Sequence, residues 1–116
     1  MTLKAYQTAR AVAESPREAE YRMFGDVTGA LMNAQTAGIK GKPLAEAIHW
    51  NRRMWNALAF DCLSDDNKLP KELRARIVSL SIWVNKYSSD VMHRGAALEP
   101  LIGVNRTVMQ GLRPAA

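Results

Sequence analysis

The residues of this chain that could do chemistry are few, and their spacing argues against catalysis. Its two histidines, His49 and His93, fall on different helical segments, and no His/Cys/Asp spacing matches a metal site. His49 lies off the apolar stripe of its segment and is read as a surface residue. The one cysteine, Cys62, sits one helical turn beyond Leu58 on an apolar face. A reactive thiolate needs an accessible, electropositive niche, so Cys62 reads as a buried structural thiol. No Gly-rich phosphate loop, Walker sequence or Gly-x-Ser-x-Gly elbow occurs. The carboxylates show no pairing suited to acid–base work. No enzyme activity, metal or cofactor is expected.

Three polar residues stand inside apolar stripes and need another explanation. Glu20 lies one turn before Phe24, Asn51 lies between Ile48 and Trp55, and Asn105 lies one turn after Leu101. Burying a polar group without a partner costs a few kcal/mol, so these three should bond to one another, to a carbonyl, or to Arg52 or Arg106. A register-fixing polar network is the structural reading, and it is favoured. A polar floor beneath a partner groove is the functional one.

The elements that must position these residues are helical. Pro16, Pro43, Pro70 and Pro100 each precede a stretch of helical periodicity, and a first-turn proline costs little because its missing N–H would be unpaired anyway. Ser15 before Pro16, with Glu18 three positions on, reads as a capping box. The stripe Phe24, Val27, Leu31, Ala34 follows, widened by Met23 and Ala30, and Gly38 and Gly41 close the helix. A second helix over about Pro43 to Leu63 carries Leu44, Ile48, Trp55, Leu58 and Cys62 on one face. A third over about Pro70 to Arg94 carries Leu73, Ile77, Leu80, Val84, Tyr87 and Val91 and stops at Gly95. A fourth over about Pro100 to Leu112 turns Leu101, Val104, Val108 and Leu112 inward, with Met109 beside them. A short helix around Leu3–Val12 is a further expectation, and residues 113–116 are expected to form a flexible tail. No strand pattern appears. Short connections between amphipathic helices imply antiparallel neighbours. The fold expected is all-α, a single domain built as a compact bundle of four main antiparallel helices.

Totals agree with a folded chain. It has 116 residues, 47% of them hydrophobic and 23% charged, which suits one domain with a real core. Apolar runs are too short to span a bilayer, and the opening residues hold no apolar signal region, so a cytoplasmic protein is expected. A single cysteine fits a reducing compartment. The net charge of +5, from sixteen Lys/Arg and eleven Asp/Glu, favours an acidic partner, but the basic residues are scattered. Direct nucleic-acid binding is therefore not expected.

Apolar residues exceed what one stripe per helix needs. Trp50 and Trp55 are five apart, hence about 140° apart around a helix, and cannot share one core face. Trp50, Met54 and Ala57 form a second arc, Phe60 lies opposite the core face, and on the third helix Val78 and Ile82 lie off the core stripe. This surplus is either covered by the N-terminal segment or a second subunit, or it is a groove for an amphipathic helix of another protein. Aromatics, methionine and arginine together are the composition of interface hot spots.

The segments Ser15-Pro16-Arg17-Glu18-Ala19-Glu20-Tyr21-Arg22, Trp50-Asn51-Arg52-Arg53-Met54-Trp55-Asn56-Ala57-Leu58-Ala59, Leu73–Leu80 and Asn105-Arg106-Thr107-Val108-Met109-Gln110-Gly111-Leu112 closely resemble the FlaF family of alphaproteobacterial flagellar biosynthesis regulators. The resemblance runs from Ala5-Tyr6 to Gly111-Leu112, with only the loop from Gln35 to Lys42 short and variable. It implies a cytoplasmic protein that binds flagellin and supports its synthesis and export, much as a secretion chaperone does. The implied partners are the helical terminal segments of flagellin, an FlbT-type regulator and the flagellar export apparatus. Flagellin-binding candidates are Trp50, Arg53, Met54, Phe60, Val78 and Ile82. The alternative is a post-transcriptional regulator of flagellin expression, acting on mRNA or through the FlbT-type partner, which the net charge and Arg52/Arg53 motivate.

Overall fold

The structure is a computed structural model that describes residues 2–5 and 15–113. Four long helices make up the described chain: α1 (Pro16–Ala37), α2 (Lys42–Cys62), α3 (Lys71–Arg94) and α4 (Glu99–Leu112). No strand occurs among the described residues. Residues 3–5 are helical, while the remainder of the helix expected over Leu3–Val12 and the last three residues lie outside the described ones.

The helix ends follow local chemistry. Ser15 is the N-cap of α1, its Oγ accepting a hydrogen bond from the Glu18 N–H at 3.1 Å. Gly38 closes the helix at φ 62°, in the left-handed region where a Cβ is costly. The N–H of Gly38 donates to Gln35 O and that of Ile39 to Ala34 O, and the Ile39 side chain folds back onto the core. Pro43 and Pro100 lie in the first turns of α2 and α4. Pro70 stands one place earlier than expected, as the N-cap of α3. The loop between α2 and α3 is cross-braced: the Asn67 amide donates to the Asp61 carboxylate at 2.9 Å, and the Leu69 N–H donates to Asn67 Oδ1 at 2.9 Å. This bracing seats Leu69 in the core.

Side-chain pairings show that sequence neighbours run antiparallel. Phe24 meets Trp55 between α1 and α2. Asn85 on α3 donates to Asn56 on α2, and Arg52 reaches the Asn85 carbonyl and the Ser89 hydroxyl. The Tyr87 hydroxyl donates to Ala97 O at 2.7 Å where α3 turns into α4. Finally α4 closes on α1, with Met109 near Gly25 and Asn105 bonded to Thr28. This is an up-down-up-down bundle.

One hydrophobic cluster fills it, and every helix contributes. Phe24, Val27, Leu31 and Ala34 come from α1, Ile48, Trp55, Leu58 and Cys62 from α2, Ile77, Val84 and Val91 from α3, and Leu101, Val108 and Leu112 from α4. Trp55 is 0% exposed, with the Phe24 ring edge-on to it at a centroid distance of 5.5 Å. Ser81 and Ser88 are also buried, at stripe positions between Ile77, Val84 and Val91.

Candidate functional site

The buried polar residues settle which parts of the molecule are scaffold. Asn105 on α4 is 0% exposed and makes three bonds. Its amide donates to Asn51 Oδ1 at 2.8 Å and to Thr28 Oγ1 at 3.1 Å, while its Oδ1 accepts from the Trp55 indole N–H at 2.8 Å. The cluster joins α1, α2 and α4 at one level of the bundle. Glu20 was expected within it and is not. It lies eight residues before Thr28, about 12 Å along the helix. Thr28 holds the α1 position instead. That residue escaped the sequence analysis, although it sits at helical spacing from both Phe24 and Leu31.

Glu20 faces a different feature, a groove of about 530 Å³ between α1 and α2. Ala19, Glu20, Met23 and Phe24 line its α1 side. Trp50, Arg53, Met54, Ala57, Leu58 and Asp61 line the α2 side at positions i, i+3, i+4, i+7, i+8 and i+11, which is a second helical stripe. The distance along α2 from Trp50 to Asp61 is eleven residues, about 16 Å or three helical turns. The two ends differ. Trp50 and Met54 make one end aromatic and thioether-rich with Arg53 on the rim, Met23 lies midway, and Glu20 with Asp61 makes the other end acidic. Glu20 Oε2 is buried without a hydrogen-bond partner among the described residues. Burial raises the Glu20 pKa above the ordinary carboxylate range. The nearby Arg17 guanidinium opposes that shift and the Asp61 charge adds to it.

Five of the six flagellin-binding candidates separate into two places, and the sixth, Val78, belongs to neither. Trp50, Arg53 and Met54 lie in the groove, where Trp50 is 39% exposed and Met54 is buried at the base. Phe60 is 80% exposed and Ile82 is 69% exposed, and neither lines the groove. The Asn56–Asn85 pairing puts Phe60 about one turn along α2 and Ile82 about one turn back along α3, so the two form a ridge over the α2–α3 seam. Val78 was expected to be surplus but is half-buried and packs against the core. The sequence missed Ala19 and Asp61 as groove residues, and it offered Glu20 only as part of a polar floor shared with Asn51 and Asn105, which lie elsewhere. Only the tertiary pairing of α1 with α2 brings Ala19 and Glu20 across from the α2 stripe that ends at Asp61.

Other candidate chemistry is quiet. Cys62 is buried, and burial, with Asp61 and Glu20 nearby, pushes its pKa up, the reverse of an activated thiol. His49 and His93 are exposed. No group of three or more His, Cys, Asp or Glu among the described residues could hold a metal ion. Among these residues no helix is long and apolar enough to cross a membrane.

No curated protein and no solved structure matches the chain. A family model does, over residues 2–112 of 116, so nearly the whole bundle, groove and ridge included, lies within the match. The family is described as flagellar protein FlaF, and the chain belongs to it.

Proposed function

We propose that this protein binds flagellin in the cytoplasm before export, as a chaperone-like adaptor, by docking an amphipathic flagellin helix in the groove between α1 and α2. The groove carries the reading. It is three helical turns long and walled by Met23, Phe24, Trp50 and Met54, and its lining residues Trp50, Arg53 and Ala57 are exposed. Methionine adapts to irregular apolar surfaces and tryptophan anchors them, which suits a segment without a fixed fold of its own. Terminal segments of flagellin pack as helices only in the filament, so before export their apolar faces need cover. Ordering such a segment costs several kcal/mol, which leaves a complex specific yet releasable.

The test is the solution mass of the protein with purified flagellin monomer, together with the Trp50→Ala variant. A complex at micromolar concentration, weakened about thirtyfold or more by Trp50→Ala, is the expected outcome for an anchor residue. Absence of a complex would refute the proposal.

The Phe60–Ile82 ridge supports a second protein contact on the far side of α2, for which an FlbT-type regulator or the export apparatus is the candidate. Direct mRNA binding is less well supported. Of the adjacent arginines that motivated it, Arg52 is engaged by Asn85 and Ser89 on α3, leaving Arg53 on the groove rim.

A further inference from the structure

We infer that the segment received by this groove is an apolar helix carrying one Lys or Arg, which pairs with Glu20 and Asp61 about three turns from the residue that packs on Trp50. The inference rests on the groove being the flagellin site and adds the register and charge of the client.

Two observations carry it. The groove is apolar along most of its length yet ends in two carboxylates from different helices, Glu20 on α1 and Asp61 on α2. In addition, Glu20 Oε2 is already out of solvent with no donor to meet it among the described residues. A buried, unpaired carboxylate oxygen is costly, and a bundle under no other demand would place an apolar residue or a donor there. The charged neighbours offset this only in part: Arg17, on the same helix as Glu20, favours its ionised form, but burial outweighs it. Asp61 already receives the Asn67 amide and opposes a second negative charge beside it. Arg53 stands eight residues before Asp61, about 12 Å away along α2, so it belongs to the opposite end. An incoming ammonium or guanidinium would supply the missing donors. Its stem would lie along Ala57 and Leu58, which line the groove between the two ends.

The pairing fixes register. An apolar helix alone could slide in the groove by a turn. A cation that must meet Glu20 and Asp61 while an apolar residue meets Trp50 admits one position.

The experiment measures binding of purified flagellin monomer, and of overlapping flagellin peptides, to the full chain and to Trp50→Ala and Glu20→Gln/Asp61→Asn variants at low and high salt. Circular dichroism confirms that each variant is folded. The double variant should bind about tenfold more weakly than wild type and lose most of the salt dependence. The binding peptide should contain a Lys or Arg whose change to Gln reproduces that loss on the wild-type protein. If Trp50→Ala weakens binding but neither the double variant nor the peptide change does, the cation pairing is wrong and the groove remains the site. If flagellin fails to bind, or binds Trp50→Ala as well as wild type, the groove reading falls and this inference with it.

Discussion

At the scale of single residues, Asn105 and Glu20 show two fates for a polar group in an apolar stripe. Asn105 has every polar neighbour it needs, with Trp55, Asn51 and Thr28 converging on it from two other helices. Replacing it by Leu would keep the volume and strand three partners at once. The cost of leaving buried donors and acceptors unpaired puts Asn105→Leu at about 2–4 kcal/mol less stable than wild type. Urea unfolding followed by far-ultraviolet circular dichroism measures this, and a loss below about 0.5 kcal/mol would show that the network is incidental. Glu20 behaves in the opposite sense. Burial raises its pKa in the folded state, so the folded chain holds that proton more tightly than the unfolded chain does. Its contribution to stability is therefore most favourable at acid pH and is lost as pH rises from the ordinary glutamate range through the raised value. Glu20→Gln removes this dependence. The stability of the variant relative to wild type should rise between pH 4 and neutrality, and a difference that stays flat with pH would count against the buried carboxylate.

At the scale of helices, much was legible because it is local. A serine, a proline and a glutamate in fixed order start α1, and Gly38 at φ 62° ends it. Apolar residues at helical spacing identify most of the core. Ser81 and Ser88 were not legible, since a hydrophobic pattern ignores a small hydroxyl residue that is buried within the stripe. Two glycines test the backbone argument. Gly38 and Gly103 both have open space where a Cβ would go, but only Gly38 has a positive φ. Gly38→Ala should cost about 1 kcal/mol through left-handed backbone strain. Gly103→Ala, inside α4, should stabilise by about 0.5–1 kcal/mol through helix propensity. Thermal melts of the two variants should shift in opposite directions, and a common direction would contradict the account.

At the scale of the molecule, α2 is the organising element because it has three differently used sides. Trp55, Leu58 and Cys62 face the core, Trp50, Met54 and Asp61 face the groove, and Phe60 faces the ridge. Periodicity revealed that α2 had more apolar surface than one core needs. It could not reveal that the surplus belongs to two surfaces, because rotation about a helix axis does not say which neighbour lies on which side. That division makes the surfaces separable by mutation. Phe60 and Ile82 are 80% and 69% exposed, so replacing both with Ser removes little buried area and should change stability by less than about 1 kcal/mol. The same double variant should bind flagellin monomer with wild-type affinity, because neither residue lines the groove. It should lose any partner that docks across α2 and α3. Titrating flagellin against Phe60→Ser/Ile82→Ser and Trp50→Ala in parallel distinguishes the faces. A loss of flagellin affinity in the ridge variant equal to that in Trp50→Ala would mean that the client spans both sides of α2, and the assignment of the groove as the whole site would have to be abandoned.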